Sequence, residues 1–304
     1  MTPPLLVSPR VADAIAAGAP VVALESTLIT HGFAPPLNLE AARRAEAAVR
    51  AGGAEPATVA VNRGRVIVGL SDDELEQIAA AEHPRKASRA TLALALAEDG
   101  WAGTTVSATM IAAALAGIRV FATGGIGGVH RGGERSMDIS ADLDELAQTP
   151  VLVVCAGPKS VLDVDLTLEY LETRGVPVLG WGTTALAGFY ARDSGRTLAG
   201  SVADASDAAR VAALHWELGL QTGLLVCVPL PADAALPRAE AEAAIAQAIA
   251  DSEAAGIHGP AATPYVLGRV AELTRGRSVQ ANLALIENNA GVAASIAVEL
   301  AALP

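Results

Sequence analysis

Several segments of this 304-residue sequence place reactive side chains beside short apolar runs or glycines. The first is Glu25, which follows the apolar residues 20–24 directly. Ligands of open α/β sheets bind at the carboxyl ends of the strands, so Glu25 is a candidate proton donor or acceptor. A solvated loop carboxylate is the alternative interpretation.

A glycine-rich segment, FATGGIGGVHRGG, occupies residues 121–133, with six glycines among its last ten residues. Glycines allow backbone conformations closed to other residues and a close approach to a ligand. A dinucleotide-binding turn is the weaker interpretation, because no helix pattern follows the glycines directly. The segment therefore predicts an elaborated active-site loop, in which His130 is a candidate functional residue.

Asp138 and Asp142 close that loop and lead into a predicted helix. Asp before a helix is most often an N-cap. A carboxylate here could instead bind a hard divalent cation, while the helix N-terminus receives an anion. The two interpretations are compatible and both stay open.

Lys159 follows the apolar residues 151–155 after the short link Ala156-Gly157-Pro158. An amine among apolar and small residues loses hydration, which favours the neutral form that adds to carbonyl carbons. Lys159 is therefore a candidate Schiff-base nucleophile, with an inert surface lysine as the alternative.

Two further segments suit a phosphate group. Residues 84–89, PRKASR, form a basic cluster that contains Lys86, and residues 104–109, TTVSAT, form a hydroxyl-rich helix entry. Either could be no more than a solvated helix start, but a local positive charge beside free backbone N–H groups is what a phosphate needs.

Composition excludes some classes of partner. The net charge is −12 and aromatic residues make up 3%, which argues against an extended nucleic-acid surface but not against one small phosphorylated substrate. The most apolar stretches have strand length, so no membrane span and no signal peptide is expected. Cys155 and Cys227 lie inside apolar runs and are expected to be buried reduced thiols of a cytoplasmic protein.

The elements that position these residues alternate between short β-branched runs and Ala-rich stretches, which is typical of crossover units. The pattern predicts a three-layer α/β/α fold, one domain over residues 1–304, with a mostly parallel sheet. A hairpin at residues 58–69, around Arg63-Gly64, makes that sheet mixed. Predicted strands are 20–24, 58–62, 65–69, 120–122, 151–155, 178–180 and 223–228, and residues 25–36 are predicted to form a loop after the first of them. Predicted helices are 39–51 with Asn38 as N-cap, one after the Ser71–Glu74 capping box, 105–116, 143–147, 162–174, 203–218, 238–255 and two at the C-terminus.

These pieces, in this order, resemble the pseudouridine-5′-phosphate glycosidase family, also called indigoidine-synthase-A-like. The resemblance rests on ALESTLITHG (23–32), TTVSATM (104–110), FATGGIGGVHRG (121–132), MDISADL (137–143), VVCAGPKS (153–160), YLETRGVPVLGW (170–181), RVAELT (269–274) and ENNA (287–290). It implies reversible cleavage of pseudouridine 5′-phosphate to uracil and ribose 5-phosphate, with a divalent metal, Mn²⁺, in a homotrimer. Some relatives carry a fused sugar-kinase domain, which is not expected here.

The resemblance also implies roles for individual residues. The family's proton-donating glutamate falls on Glu25, its covalent lysine on Lys159 and its metal-binding aspartate on Asp138. Positions that contact the substrate fall on Lys86, Val106, Ser140, Ala141 and Asp142, and positions near the uracil fall on Thr123, His130 and Asn282. Pro158 departs from the family pattern, which has a small residue beside the lysine.

Two other functions fit the same residues. A phosphosugar aldolase would keep Lys159 as its nucleophile but would release no uracil. A non-catalytic phosphosugar-binding module would keep the site without turnover, and the joint presence of Glu25, Asp138 and Lys159 speaks against it.

Overall fold

The computed structural model describes residues 4–257 and 262–303. Its strands are β1 Leu5–Val7, β2 Val21–Leu24, β3 Glu55–Asn62, β4 Arg65–Val68, β5 Arg85–Ala87, β6 Ala102–Thr104, β7 Val120–Ala122, β8 Val129–His130, β9 Leu152–Cys155, β10 Leu162–Asp163, β11 Val178–Trp181, β12 Gly200–Val202 and β13 Leu224–Cys227. Its α-helices are α1 Pro9–Ala16, α2 Leu37–Ala51, α3 Asp72–Ala79, α4 Leu92–Ala97, α5 Val106–Ala116, α6 Gly133–Ser136, α7 Ala141–Leu146, α8 Val164–Thr173, α9 Ala205–Glu217, α10 Arg238–Ala254, α11 Ala262–Leu273 and α12 Arg277–Ala301.

Eleven strands form one mixed sheet. Nine follow the order β1-β4-β3-β2-β7-β9-β13-β11-β12, and β6 extends from β3 to pair with β5. The run from β3 through β2, β7, β9, β13 and β11 to β12 is parallel throughout. The antiparallel pairs are β3 with β4 and β3 with β6. The predicted hairpin at Arg63-Gly64 is confirmed, and both turn residues have positive φ, as a tight two-residue turn requires.

Alternate residues of each central strand pack into different cores. On β2, Val22 and Leu24 join the core beneath α2, α9, α10, α11 and α12, whereas Val21 and Ala23 join the core beneath α1, α4, α5, α7 and α8. Both faces of the sheet are therefore covered by helices, which confirms the predicted three-layer α/β/α fold with a mostly parallel, mixed sheet.

Two local predictions were wrong. Residues 25–36 do not form a simple loop, because Leu28–Gly32 makes a turn of π-helix. Asn38 is not an N-cap: it is buried in the first turn of α2, and its Nδ2 donates to the carbonyls of Ile29, at 3.1 Å, and Ala79, at 3.0 Å. It joins the π-helical turn to α3 instead. The capping box of Ser71 and Glu74 at the start of α3 is confirmed.

The longest helix corrects the expectation that apolar stretches have only strand length. By length and composition, α12 could cross a membrane, but half of its most apolar stretch is buried against the rest of the protein. Ala-rich helices that cover a sheet meet the same criterion, and Leu285 and Ala293 of α12 are fully buried in the core. Its packing against the central strands brings α12 beside the glycine-rich segment.

Candidate active site

Three neighbouring parallel strands end at the same place and bring three predicted site residues together. Leu24 of β2 pairs with Ala122 of β7, and Ala122 pairs with Val154 of β9. The residues that follow these strand ends are Glu25, Thr123 and, after a short loop, Lys159. The carboxyl edge of β2, β7 and β9 is therefore the candidate active site, as expected for an open α/β sheet.

Glu25 is buried, with 5% of its surface exposed. The hydroxyl of Thr123, also buried, donates a hydrogen bond to Oε1 of Glu25. Burial raises the pKa of Glu25, while the positive charge of Lys159 and the hydrogen bond from Thr123 oppose that rise. Loss of hydration dominates, because a buried carboxylate cannot recover its solvation from one hydroxyl and one ammonium. Such a carboxyl keeps its proton to higher pH than a solvated one.

The backbone that bears Lys159 is bound to the glycine-rich segment by a ladder that continues the pairing of β7 and β9. Ala156 N–H donates to Gly124 O at 2.9 Å, Ile126 N–H to Gly157 O at 3.2 Å, and Lys159 N–H to Ile126 O at 3.0 Å. Lys159 itself is half-buried. The loop therefore fixes the start of the lysine side chain beside the glycines.

This ladder explains the departure at Pro158. Pro158 is the bridge partner of Ile126, and the two hydrogen bonds of that bridge use the carbonyl of Gly157 and the N–H of Lys159. Proline has no N–H to donate, and none is needed from position 158. Its fixed φ stiffens the residue before Lys159 without the loss of a ladder hydrogen bond.

Lys86 brings a second amine to the same cluster. It lies on β5 opposite Gly103 of β6. Loss of hydration and the positive charge of Lys159 lower the pKa of Lys86, while the negative charges of Glu25 and Asp142 raise it. Two lysines and two carboxyl groups are thus close enough to perturb one another, and the basic cluster of residues 84–89 contributes one of them to the site.

His31 was missed by the sequence analysis, although it lies within the motif that contains Glu25. It is on the π-helical turn after β2, and its Nδ1 lies 2.7 Å from Oγ1 of Thr30. Loss of hydration and the positive charge of Lys86 lower the pKa of His31. His31 is only six residues after Glu25 in the sequence. The π-helical turn places it close enough to Lys86 for that charge to lower its pKa.

Asp142 and Ser140 lie where the N-termini of α5 and α7 meet. Ser140 is the N-cap of α7, and its Oγ accepts from the N–H of Asp142 at 3.2 Å. Asp142 is buried and caps no helix of its own. Its Oδ1 accepts from Ser107 N–H in the first turn of α5, and its Oδ2 accepts from Gly127 N–H, both at 2.9 Å. Neither aspartate is therefore the N-cap of α7, a role that Ser140 has, although Asp142 accepts a first-turn N–H of α5.

The remaining residues of this corner present helix N-termini. Val106 is the first residue of α5, and Ala141 is the first residue of α7. The N–H groups of a first helical turn have no partner within the helix and favour an anion. Asp142 already occupies part of this field with negative charge, so an anion bound here also needs the positive charge of Lys86.

His130 and Asp138 lie at the far end of the glycine-rich segment. Both are half-buried and line a cavity of about 330 Å³ together with Ser136 of α6 and with Ser252 and Glu253 of α10. The backbone N–H of His130 donates to the carbonyl of Asp138 at 3.0 Å. The two residues are therefore joined through their backbones, and both line the same cavity.

Across residues 4–257 and 262–303, no three His, Cys, Asp or Glu side chains are grouped as a metal cage requires. Asp138 offers one carboxylate on an accessible cavity wall. A single carboxylate suits a hard cation that keeps several waters or takes phosphate oxygens, as Mg²⁺ and similar ions do, and it does not suit a tightly held zinc ion.

Asn282 reaches the first glycines of the loop from α12. A Cβ added to Gly124 would lie 3.6 Å from Oδ1 of Asn282, with Leu285 and Ile286 closer still. Asn289, two turns further along α12, donates from Nδ2 to the carbonyl of Thr123 at 2.9 Å. The ENNA motif thus includes a residue that touches the site, which the sequence analysis left without a role.

A larger cavity, of about 390 Å³, lies beside residues 156–160, the segment that bears Lys159. Pro158 and Ser160 line it, together with residues from Leu162 to Asp165 and from α10, whereas Lys159 does not. Neither Glu25 nor Lys159 lines this cavity, which is therefore separate from the Glu25–Lys159 cluster.

Comparison with known proteins places this arrangement in a family. The family model described as "Indigoidine synthase A like protein" matches residues 10–299. The chain belongs to the indigoidine synthase A-like family. A relative from Solibacter usitatus named pseudouridine-5′-phosphate glycosidase is 52% identical over 97% of this chain and 99% of its own length. A relative of the same name from Paracoccus denitrificans is 53% identical over 99% of this chain and 100% of its own length.

Two solved structures share the fold of this family member. The prealnumycin C-glycosynthase AlnA, in complex with ribulose 5-phosphate, is 41% identical with a TM-score of 0.91, and 98% of this chain and 97% of that chain are covered. An indigoidine synthase A-like protein from Thermotoga maritima is 32% identical with a TM-score of 0.88, over 99% and 98% of the two chains. The family and the three-layer fold inferred from the sequence are confirmed.

Proposed function

We propose that this chain cleaves the C–C glycosidic bond of pseudouridine 5′-phosphate to give uracil and ribose 5-phosphate, and that it catalyses the reverse reaction. The observation that supports this most is the proximity of Glu25, a buried carboxyl held by Thr123, to Lys159, which follows β9, the second strand along the sheet from β2. Curated relatives with that name match almost the whole chain at about half identity.

A C–C glycosidic bond needs both an electron sink and a proton donor. Ordinary glycosidases protonate a leaving oxygen, and a C-nucleoside has no such atom at the scissile bond. A lysine amine supplies the sink, because an amine bonded to C1′ can become an iminium as the C–C bond breaks. Lys159 is the amine that we assign to this role.

The proposed cleavage has three steps. The Lys159 amine bonds to C1′ while the C1′–O4′ bond breaks, and O4′ takes a proton, which opens the ribose ring. C5 of the uracil is then protonated and the C1′–C5 bond breaks, as the nitrogen lone pair forms the iminium. Water hydrolyses the iminium to free Lys159 and the aldehyde form of ribose 5-phosphate. One water is consumed in each cleavage.

Glu25 is the proposed proton donor to O4′. It then takes a proton from the Lys159 ammonium that the attack on C1′ forms, gives that proton to C5, and is protonated again as water hydrolyses the iminium. A donor must hold a proton at the working pH, and burial raises the pKa of Glu25 in the required direction. The Lys159 charge beside it lowers the pKa again, so formation of an uncharged amine at position 159 would itself favour the acid form of Glu25.

Different residues are assigned to the phosphate end and to the uracil end of the substrate. The phosphate would bind near Lys86 and the helix N-termini at Val106 and at Ser140–Asp142. Asp138 would hold a divalent cation, Mn²⁺, which when bound would neutralise phosphate charge. Thr123, His130 and Asn282 would contact the uracil. The complex of AlnA with ribulose 5-phosphate supports a pentose-phosphate pocket in this fold.

The proposal extends to the assembly and its setting. We assign the enzyme to the cytoplasm as a homotrimer, with a small phosphorylated nucleoside and no nucleic acid or membrane as partner. Sedimentation velocity measures the assembly directly, and a sedimenting monomer at micromolar concentration would contradict the trimer.

The decisive experiment is incubation with pseudouridine 5′-phosphate and Mn²⁺, with uracil measured by chromatography. Uracil and ribose 5-phosphate are expected in equal amounts. Exhaustive chelation should abolish the release, and Mn²⁺ should restore it better than Ca²⁺, which prefers more ligands than one carboxylate offers. Consumption of sugar phosphate without release of uracil would favour an aldolase. Full activity after chelation would contradict the assignment of a divalent metal to this site.

A further inference from the structure

Asn289 is a fully buried polar residue in the middle of α12. Its Nδ2 donates to the carbonyl of Thr123 at 2.9 Å and, at 3.4 Å, to that of Gly124. Its Oδ1 has no hydrogen-bond partner within the described part of the chain. A buried acceptor without a donor lowers the stability of the fold, so an apolar residue of the same shape would suit this position better if packing alone mattered.

Asn289 donates to the carbonyl of Thr123, and the hydroxyl of the same threonine donates to Glu25. Thr123 donates its backbone N–H to Val154 O at 3.0 Å, receives Asn289 at its carbonyl, and donates its hydroxyl to Oε1 of Glu25. Three separate elements, β9, α12 and the end of β2, therefore meet at one threonine. With its backbone fixed on both sides, the hydroxyl has little freedom to leave Oε1.

We infer that Asn289 is a positioning residue for the proposed acid: it fixes Thr123 so that the hydroxyl stays on Oε1 of Glu25 and Oε2 is the oxygen that delivers the proton. This inference rests on the proposed function of Glu25. It assigns to Asn289 no contact with the substrate, because the glycine-rich segment and Thr123 lie between them.

The matched control is Asn288, which is next to Asn289 on the same helix. Its Nδ2 also donates to a backbone carbonyl, that of Pro229, at 3.4 Å. Pro229 follows β13, whereas Thr123 follows β7. Asn288→Leu and Asn289→Leu each remove one side-chain amide donor, the first from the carbonyl of Pro229 and the second from the carbonyls of Thr123 and Gly124. Only the second removes it from Thr123.

The experiment measures the pH dependence of uracil release by the whole enzyme with Mn²⁺. Loss of the Thr123 hydrogen bond removes one of the interactions that lower the pKa of Glu25, so the pKa should rise. We expect the alkaline limb of kcat for Asn289→Leu to move up by about one pH unit, because the donor then keeps its proton to higher pH. Turnover should fall about tenfold or more from misorientation, with KM changed less than threefold.

Thr123→Val keeps the shape of the side chain without its hydroxyl and should move the limb in the same direction. The double variant Thr123→Val/Asn289→Leu should show no additional shift, because both changes act through one hydrogen bond. Asn288→Leu should leave the limb where it is in the wild type.

Two outcomes overturn the inference. One is an Asn289→Leu enzyme that melts at lower temperature but keeps the wild-type limb and kcat, which would make Asn289 a structural residue only. The other is a wild-type limb in Thr123→Val, which decides the matter even if Asn289→Leu does not fold. Titration of the Glu25 carboxyl in the free enzyme by carbon NMR, with Glu25→Gln to assign the signal, gives the same comparison without turnover. Failure of the wild type to release uracil would instead refute the proposed function.

Discussion

At the scale of single residues, opposing influences act on the pKa of Glu25, and its burial is the largest of them. The Lys159 charge and the Thr123 hydroxyl stabilise the carboxylate, yet loss of hydration raises its pKa. Glu25→Gln keeps the shape and the hydrogen bond from Thr123 but cannot supply a proton. We expect turnover to fall by roughly two orders of magnitude or more, with the substrate dissociation constant nearly unchanged. Steady-state kinetics with a binding titration check this, and turnover within a few-fold of the wild type would mean another donor.

Lys159 and Lys86 can be distinguished chemically. If Lys159 forms an iminium with ribose 5-phosphate, borohydride should reduce it to a stable secondary amine, and mass spectrometry should locate the added sugar phosphate on the peptide with Pro158 and Lys159. Lys159→Arg keeps the charge but stays protonated at neutral pH, so it should neither trap nor turn over. Lys86→Ala, the control, should weaken phosphate binding and still trap at high substrate concentration. A label on Lys86 would reverse the assignment.

At the scale of elements, the site residues that follow apolar strands are predictable from the sequence. Strands β2, β7 and β9 are short apolar runs, so Glu25 and Lys159 could be placed at strand ends from local pattern alone. Short paired segments such as β5 and β8 have no such pattern and depend on tertiary pairing. The proximity of His31 to Lys86 and the hydrogen bond from Asn289 to Thr123 each bring together residues that are distant in sequence. No spacing rule reveals either of them.

The glycine-rich segment was predicted to need glycines, and the structure shows where. A Cβ at Gly125 would lie 2.7 Å from Cε2 of Phe189 and 2.9 Å from the carbonyl of Gly157. Phe189 is buried with φ +61°, so it has little room to withdraw. Gly125→Ala should destabilise the fold by about 1–3 kcal/mol and displace the ladder that holds Lys159.

Chemical denaturation checks this against a glycine with open space around it. Gly291 lies inside α12 and has nothing within 4 Å of an added Cβ. Gly291→Ala should stabilise the fold by up to about 1 kcal/mol, because alanine is the better helix former. If Gly125→Ala denatures like the wild type and retains uracil release, the loop is not as closely packed as these distances indicate.

At the scale of the whole molecule, a buried acid at the active site links the stability of the fold to pH. The pKa of Glu25 is raised above its ordinary value of 4.5 in the folded state. A raised value means that the stability contributed by the acid is complete below the unfolded pKa and is lost as pH rises through the folded pKa. Active-site groups of this kind lower stability at the pH where they work.

Glu25→Gln removes that titration, so the variant should gain stability over the wild type as the pH rises from about 4.5 through the folded pKa of Glu25. Above that range the difference in melting temperature should be constant. The contrasting control is Asp251→Asn, since hydrogen bonds from Arg269 and Gln247 lower the pKa of Asp251. That variant should melt below the wild type at neutral pH and approach it as the pH falls through the folded pKa of Asp251. Calorimetry across this range checks both signs, and a Glu25→Gln enzyme that melts below the wild type at neutral pH would show that the Glu25 carboxylate, with Lys159 and Thr123, stabilises the fold.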